Sequence, residues 1–293
     1  MELLQLQYFI AVARLEHMTE AAHTLHVTQS SLSKTIQRLE EDLGVPLFDR
    51  TGRKLRLNES GSRFLPRAEK ALFELEQGRQ ELRDLSSLEP DTLELAVTTA
   101  STLPNILREF RKKLPAVHFH VQMLSMQEMI TLLRRGEVDF CLSSPPVWVE
   151  DMECQIVCTD PIYVAVPAGH RLAGRQSLSL IELKDEWFAG VTRGYGIRDL
   201  VDSVCQSAGF TPQYVYEGDE PARLVALVEA GIGLAFIPGT AKNSQDNIVL
   251  IPVEDQGLVR EIALLWLKSR YISQAGRIFR DVVIEYFNGN NEE

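Results

Sequence analysis

The sequence predicts an α/β protein whose first 58 residues form an all-α segment that carries a short basic hairpin. Three observations support this prediction. Apolar residues recur at helical spacing from Leu3 onward, Lys and Arg crowd around Gly52, and strand and helix patterns alternate after residue 91. A chain of 293 residues also exceeds what one hydrophobic core usually supports, so two or more domains are expected.

Three short helices are predicted at the start of the chain. The apolar spacing indicates a first helix over residues 3–14. Thr19 is a suitable N-cap for a second helix, because its hydroxyl can accept a bond from a free backbone amide. Thr28 or Ser30 would cap a third helix in the same way, and Gly44 would end it.

The third helix has two different faces. Its apolar face, which must pack in a core, is formed by Leu32, Ile36, Leu39 and Leu43. Its opposite face consists of Ser30, Ser33, Lys34 and Gln37. This polar face has no carboxylate, and its hydroxyls, amide and cation suit the base edges and phosphate oxygens of a duplex. The acids of the helix are held back to its C-terminal end, where they oppose the helix dipole: Glu40, Glu41 and Asp42.

A basic hairpin is predicted directly after the third helix. Its cations flank a turn at Thr51–Gly52 and are Arg50, Arg53, Lys54 and Arg56. Residues 1–57 carry seven Lys or Arg and seven Asp or Glu, and the whole chain has a net charge of −11, so the positive charge is local. A solvated hairpin beside an amphipathic helix would explain either element alone. The two in succession favour a helix in a major groove and a wing on the phosphate backbone.

The segment LQYFIAVARLEHMTEAAHTLHVTQSSLSKTIQRLEEDLGVPLFDRTGRKLRLNESG resembles the winged helix-turn-helix of the LysR-type transcriptional regulators. The resemblance rests on QYF, the pair AA, TQSSLSKTIQRLE, LGVPLFDR and Gly61. Asn58 and Ser60 stand where Thr and Ala are usual, and Asn58 can still cap the next helix. The resemblance implies a regulator that binds a partly palindromic promoter site. It implies DNA contacts by Thr28, Gln29, Ser30, Ser33, Lys34, Gln37 and Arg38, and phosphate contacts by Arg50, Arg53 and Lys54.

A long linker helix is predicted from Glu59 to about Leu85. Its apolar residues fall on an alternating three-four spacing: Leu65, Ala68, Leu72, Leu75 and Leu82. An identical helix is the simplest partner for such a stripe, and two-fold pairing would suit a palindromic site. The alternative is packing against its own domain. Pro66 either kinks the helix or marks the end of its first turn, and residues 86–91 are expected to form a hinge.

The remaining residues, 91–293, alternate strand and helix patterns, which indicates parallel sheets with helices on both faces. This part resembles the effector domain of the same family, with two α/β lobes similar to type 2 periplasmic binding proteins. The expected domains are 1–58 (DNA-binding), 59–88 (linker and dimerisation) and 91–293 (effector-binding). Within the last, lobe one covers about 91–160 plus 267–293, and lobe two about 161–266.

An effector site is predicted where strands end beside helix starts. Free amides and hydroxyls after the first strand suit a carboxylate or other anion, although an ordinary N-cap would explain any single residue. With the cleft that the resemblance implies, the candidates are Thr99, Ser101, Thr102, Gln127, Ser143, Ser144, Thr192, Arg193, Gly218 and Asp219. Arg193 and Arg198 could pair with an anionic effector, but surface cations are the simpler interpretation.

Other chemistry finds little support. The sequence contains no activated nucleophile and no phosphate-binding loop, so no catalytic site is predicted. Neither histidine pair, His23 with His26 or His118 with His120, has a third metal ligand nearby, so no metal site is predicted. Cys154 and Cys158 could form a redox switch, but they lack a basic flank, and buried thiols are the better interpretation. No cofactor is expected beyond a small-molecule co-inducer.

The expected location and partners follow from the same observations. Without a signal peptide or an apolar span, the chain is expected in the cytoplasm and away from membranes. Double-stranded DNA, a second copy through the linker helix, a tetramer by resemblance, and RNA polymerase are the partners considered. Two rival functions stay open: a ligand-independent repressor whose C-terminal part only oligomerises, and, more remotely, a solute-binding protein.

Overall fold

The structure is a computed structural model that describes residues 1–51, 54–86, 92–98, 102–193, 196–241, 247–255 and 257–290. The chain divides into two compact units, residues 1–89 and 90–293. Within the described ranges, no helix combines the length and apolarity that a membrane span requires.

Helices and a two-stranded hairpin build the first unit. In chain order they are α1 (Leu3–Leu15), α2 (Met18–Thr24), α3 (Gln29–Leu43), β1 (Phe48–Thr51), β2 (Lys54–Leu57) and α4 (Glu59–Ser86). The three predicted short helices and the linker helix are therefore confirmed, and Pro66 lies within α4 without ending it. The expected hinge falls largely on residues 87–91, outside the described part of the chain.

Helix ends in this unit follow from local chemistry. Thr28 caps α3 by accepting a hydrogen bond from the Ser31 amide at 3.2 Å, and Gly44 ends it in a left-handed conformation with φ 72°. The prediction of Thr19 as the cap of α2 is wrong. The chain is extended at His17, whose Nδ1 accepts from the Glu20 amide at 3.2 Å, and Thr19 already lies within the helix.

One core joins the elements of the first unit. Leu32, Ile36 and Leu39 of α3 are fully buried in it, as predicted, while Leu43 is half-buried. The Phe9 ring of α1 lies 5.7 Å from Phe48 of the hairpin and 5.3 Å from Phe64 of α4, between ring centroids. Burial of these apolar faces fixes α3 and leaves its polar face to solvent.

The linker helix α4 divides along its length. Leu65, Ala68 and Leu72 pack against the core of their own unit, so this half of the apolar stripe is used within the chain. Leu75 and Leu82 remain 49% and 67% exposed. The C-terminal half of the stripe is thus open to another surface.

The second unit contains strands and helices in alternation. Its strands are β3 (Thr92–Val97), β4 (His118–Met123), β5 (Phe140–Ser143), β6 (Met152–Pro167), β7 (Trp187–Val191), β8 (Gln213–Gly218), β9 (Ala235–Pro238), β10 (Ile248–Ile251) and β11 (Val259–Leu267). Its helices are α5 (Leu103–Lys113), α6 (Met126–Arg135), α7 (Gly196–Ser207), α8 (Leu224–Glu229) and α9 (Gln274–Asn290).

Sheet pairing agrees only in part with the predicted parallel arrangement. β3 pairs in parallel with β4 and β5, and β7 with β8. β6 and β11 instead run antiparallel to each other, and β11 runs antiparallel to β5. The sheet order is β10-β6-β11-β5-β3-β4, with β9 also paired to β6. Antiparallel strands enter because β6 and β11 carry the chain from one core to the other and back.

Apolar clusters pack on both halves of these two strands. Phe110, Phe140 and Phe279 belong to a first cluster with Val157 of β6. Ile162, Val164 and Val166 of β6 lie in a second cluster, and Ala165 in a third, in keeping with the alternation of side chains along a strand. The chain returns from the second cluster to the first at the start of β11, because Leu258 packs in the second cluster and Ile262 in the first.

A buried ion pair lies at this passage. The Asp160 carboxylate is 2% exposed and accepts from Arg260 Nε at 3.0 Å and from Thr240 Oγ1 at 2.7 Å. Asp160 and Arg260 are cross-strand partners of β6 and β11. The three side chains therefore link both passing strands to the loop after β9.

Candidate functional site

The polar face of α3 is open to solvent along its length. Ser33 is half-buried, and the other predicted contacts are exposed: Thr28, Gln29, Ser30, Lys34, Gln37 and Arg38. The structure therefore brings all seven together on one short segment. A row of hydroxyls, amides and cations on an exposed helix can contact both bases and phosphates of a duplex.

Local contacts arrange several of these side chains. Thr28 Oγ1 and Ser30 Oγ lie 3.2 Å apart, and Gln37 Nε2 donates to Glu41 Oε1 at 2.9 Å. Lys34 and Arg38 have no carboxylate partner among the described residues. Their charges remain available to an anion.

Two of the three acids at the end of α3, Glu40 and Asp42, bond to groups outside its polar face. Glu40 Oε1 accepts hydrogen bonds from two backbone amides, those of Leu47 at 2.7 Å and Phe48 at 3.3 Å. Asp42 Oδ2 lies 3.0 Å from the terminal ammonium group, whose hydrogen bond lowers the pKa of that carboxyl. Sequence reasoning noted where these acids are but missed their partners. Glu40 lies one helical turn before Gly44, and that spacing could have suggested bonds to the backbone amides that follow the helix.

The two strands of the basic hairpin are present as predicted, and residues 52–53 of its predicted turn lie outside the described part of the chain. In the β1–β2 register, Arg50 pairs with Leu55 and Thr51 with Lys54, so the backbones of Arg50 and Lys54 lie toward the far ends of the two strands. The side chains of Arg50 and Lys54, and Arg53 as a whole, lie outside the described part of the chain.

The hairpin joins α4 through Asn58 and Gly61. The Asn58 side chain donates to the Pro46 carbonyl at 3.0 Å and accepts from the Gly61 amide at 2.8 Å. It therefore caps α4, as expected. A Cβ at Gly61 would lie only 2.2 Å from the Leu47 carbonyl oxygen, so this position requires glycine.

Polar groups predicted for the effector site lie near the ends of β3 and β5. Thr98 Oγ1 accepts from the Ser144 amide at 3.0 Å. Thr102, 5% exposed, stands at the N-cap of α5 without a side-chain capping bond. Ser143 is fully buried, and its Oγ has no hydrogen-bond partner within the part of the chain described. Thr99 and Ser101 lie outside the described residues.

The start of α7, in the segment that follows β7, lies close to the residues after β5. A Cβ at Gly196, where α7 begins, would lie 3.2 Å from the Ser144 carbonyl oxygen and 3.1 Å from Pro145 Cδ. α7 packs through Val201 in the second cluster. A larger residue at position 196 would therefore require Ser144 or Pro145 to shift.

The remaining candidates differ in position. Thr192 Oγ1 donates to Asp219, and the Thr192 amide bonds the Gly218 carbonyl at 3.1 Å, so these three lie together at the ends of β7 and β8. Arg193 is exposed, with Nε 4.0 Å from Asp202. Gln127 is exposed in the first turn of α6, and no hydrogen bond among the described residues joins it to the others.

Arg198 is neither a surface cation nor free to meet an effector, which corrects both interpretations of the sequence. Only 5% exposed, it donates to Asp202 Oδ2 at 2.9 Å, to the Val191 carbonyl at 2.8 Å and to Glu217. Its guanidinium stacks 3.6 Å from the Tyr214 ring centroid, and burial raises the pKa of Tyr214. The i, i+4 spacing of Arg198 and Asp202 was the signal in the sequence.

The cysteine thiols are free in the structure. Burial raises the pKa of Cys141 and Cys205 to about 12, and it also raises the pKa of Cys154 and Cys158. Thiols that stay protonated are poor nucleophiles. Among the described residues, no three His, Cys, Asp or Glu side chains come together in a group that could hold a metal ion.

A helix-turn-helix with a basic hairpin, extended by a long helix and followed by an α/β part with two cores, is the architecture of ligand-responsive transcriptional regulators. A family model described as "Bacterial regulatory helix-turn-helix protein, lysR family" matches residues 3–62, and the LysR substrate binding domain matches residues 87–288. The chain therefore belongs to the LysR family of transcriptional regulators. It is a DNA-binding regulator with an effector-binding domain and not an enzyme.

Relatives in sequence and structure match nearly the full length of the chain. The uncharacterised regulator YybE of Bacillus subtilis (strain 168) is 33% identical, over 98% of this chain and 100% of its own length. The transcriptional dual regulator GltC of the same organism is 31% identical, over 98% of both chains. Full-length OxyR C199D from Pseudomonas aeruginosa superposes with a TM-score of 0.73 at 23% identity, covering 97% of this chain and 94% of that one.

Two further solved structures show the same fold with a bound molecule. Full-length CbnR in complex with its target DNA has a TM-score of 0.63 at 24% identity, and covers 97% of this chain and 99% of its own. The effector-binding domain of QuiR in complex with shikimate has a TM-score of 0.56 at 22% identity, and covers 69% of this chain and 99% of its own.

Proposed function

We propose that this regulator binds a partly palindromic promoter site through α3 and the β1–β2 hairpin, under the control of a small anionic metabolite. The observation that carries the DNA part is the exposed face of α3, where Lys34 and Arg38 have no carboxylate partner within the described residues. Unpaired cations beside hydroxyls and amides combine phosphate attraction with base contacts. The structure of CbnR with its target DNA supports this use of the fold.

The roles within this interface follow from position. Gln29, Ser30, Ser33, Lys34 and Gln37 would face the major groove. Thr28 and Arg38, at the margins of the same face, and the hairpin cations Arg50, Arg53 and Lys54 would contact phosphates. Contacts to base edges give sequence preference, whereas contacts to phosphates give affinity for any duplex.

We further propose that the effector binds between the ends of β3 and β5 and the start of α7. The unpartnered Ser143 hydroxyl, the buried Thr102 beside the first amides of α5, and Thr98 supply hydrogen-bonding groups for a carboxylate. Thr192, Arg193, Gly218 and Asp219 would close the site from the other side. The complex of the QuiR effector-binding domain with shikimate, a small carboxylic acid, supports this choice of ligand class.

Control would operate through the two lobes and through assembly. An effector that binds one arrangement of the lobes better than another shifts their equilibrium. The exposed Leu75 and Leu82 suit dimerisation through α4, and a tetramer would be built from such dimers. The domains expected from the sequence, a cytoplasmic location and a contact with RNA polymerase belong to the same proposal.

Two measurements test the proposal. Gel shifts with a duplex from the region upstream of the protein's own gene, against a random duplex of equal length, should show preference for the former at low ionic strength. Equal affinity for both would refute specific binding. Calorimetry with a panel of organic acids should find a ligand, and binding of only neutral or cationic compounds would refute the anionic effector.

A further inference from the structure

Two carboxylates of the first unit bond to the backbone at the base of the β1–β2 hairpin. Glu40, in the last turn of α3, accepts from the Leu47 amide at 2.7 Å and from the Phe48 amide at 3.3 Å. Glu16, the residue that ends α1, accepts from the Leu57 amide at 3.0 Å. Phe48 and Leu57 are cross-strand partners, so the two strands are held at the same level.

The hairpin depends on this base for its direction. Its strands have four residues each, so each strand extends about 10–13 Å from the base at the usual rise per residue. A small rotation at the base therefore displaces the far ends of the strands by several ångströms. Glu40 belongs to α3 itself, so its hydrogen bonds connect the helix proposed to contact bases directly with the hairpin proposed to contact phosphates.

We propose that Glu40 is a positioning residue for DNA binding, and that Glu16 is its counterpart on the other strand. Together they fix the basic tip relative to α3, so that helix and hairpin contact one duplex at the same time. This inference rests on the proposed function of those two elements. It also accounts for a carboxylate in a segment that faces a polyanion, because bonds from two amides compensate its charge.

Electrostatics alone predicts the opposite effect of losing this carboxylate. Removing a negative charge from a DNA-binding unit should strengthen binding to every duplex. The positioning role instead predicts weaker binding for Glu40→Ala, whereas Glu40→Gln retains an Oε1 acceptor. Asp49→Ala is the matched control, since Asp49 is an exposed acid of β1 whose carboxylate makes no hydrogen bond among the described residues.

The experiment uses the full chain and two duplexes, one from upstream of its own gene and one of random sequence. Dissociation constants are measured from about 50 to 200 mM salt. For Glu40→Ala we expect about tenfold weaker binding to both duplexes, and a salt slope lower by about 2–3 as the tip cations lose their phosphates. Glu40→Gln should stay within about twofold of the parent chain, and Asp49→Ala should bind as tightly or more tightly.

Binding by Glu40→Ala that matches Asp49→Ala, with an unchanged salt slope, would overturn the proposal. Hydrogen exchange of the Leu47–Phe48 amides gives a second readout, and it should accelerate in Glu40→Ala but not in Asp49→Ala. If Glu40→Ala does not fold, Glu16→Ala takes its place, and the salt slope of its DNA affinity should fall by the same amount. An unchanged salt slope for Glu16→Ala would then overturn the proposal.

Lys34→Ala separates this inference from the function on which it rests. Reduced specific binding for Lys34→Ala with an unchanged slope for Glu40→Ala would keep α3 as the base-contacting helix and remove the positioning role. The reverse pattern would retain the role of Glu40 at the hairpin and remove α3 as the source of specificity.

Discussion

The N-terminal unit leaves Lys34 and Arg38 exposed on α3, whereas the C-terminal unit buries Arg198 and Arg260 beside carboxylates. The exposed cations are not paired within the described residues, so they can exchange counterions for phosphates. The buried ones already have their anions. Residue type alone therefore does not indicate whether a cation of this protein is free to meet an anion; burial and pairing do.

The largest expected effect comes from breaking a buried pair. Asp160→Ala would leave Arg260 without its anion, and we expect the free energy of unfolding to fall by about 3–5 kcal/mol. Urea denaturation measures it. Asp151→Ala is the control, because Asp151 pairs with Arg134 at the surface and should cost less than about 1 kcal/mol. Equal losses would contradict the distinction between the two kinds of cation.

A smaller effect should separate binding from stability in the other unit. Lys34→Ala should lower affinity for the upstream duplex by about 1–3 kcal/mol and leave unfolding unchanged, since its side chain has no partner to lose. Gel shifts and thermal denaturation check the two halves of the prediction. Lys70→Ala, at an exposed cation of α4, should change neither affinity nor stability. Gln37→Ala should lower affinity for the upstream duplex as Lys34→Ala does.

The third prediction concerns the unpartnered hydroxyl in the C-terminal unit. Ser143→Ala removes a buried polar group that has no hydrogen bond among the described residues, so stability without ligand should rise by about 1 kcal/mol. Ser125→Ala should do the reverse, because Ser125 caps α6, and should cost about 1 kcal/mol. Chemical denaturation of both variants distinguishes them. A loss of stability in Ser143→Ala would show that its hydroxyl is satisfied.

The smallest expected change is in the salt dependence of binding. Arg53→Ala should reduce the slope of log affinity against log salt by about 1 for specific and random duplexes alike. Arg193→Ala, an exposed cation of the C-terminal unit, should leave the slope unchanged. A loss confined to the specific duplex would place Arg53 on a base and not on a phosphate.

The sequence allowed most of the helix-turn-helix unit to be predicted, because its information is local. Apolar spacing, Thr28 and Gly44 define α3, and the residues of its polar face follow from the same period. His17 as a cap was missed, since an imidazole nitrogen is a less frequent acceptor at that position than a hydroxyl. The partners of Glu40 were missed because they lie across a turn.

The C-terminal unit was less predictable, because its features depend on residues far apart in sequence. The pairing of Asp160 with Arg260 spans 100 positions, and the antiparallel course of β6 and β11 depends on which core each half joins. Of the predicted effector residues, Ser143 and Thr102 are buried where strands end, whereas Gln127 stands apart in an exposed turn. The position of a residue after a strand indicates that it lies near the end of that strand. It does not indicate whether its side chain is buried or exposed.

The passage of β6 through both cores has a thermodynamic consequence. Val157 and Val164 belong to one unbroken strand, so loss of either apolar cluster would strip half of its packing and expose the edge of the other half. The two halves of the C-terminal unit should accordingly melt together, and scanning calorimetry of the full chain should assign them to a single cooperative transition. Separate melting of the two halves would mean that the shared strand does not couple them.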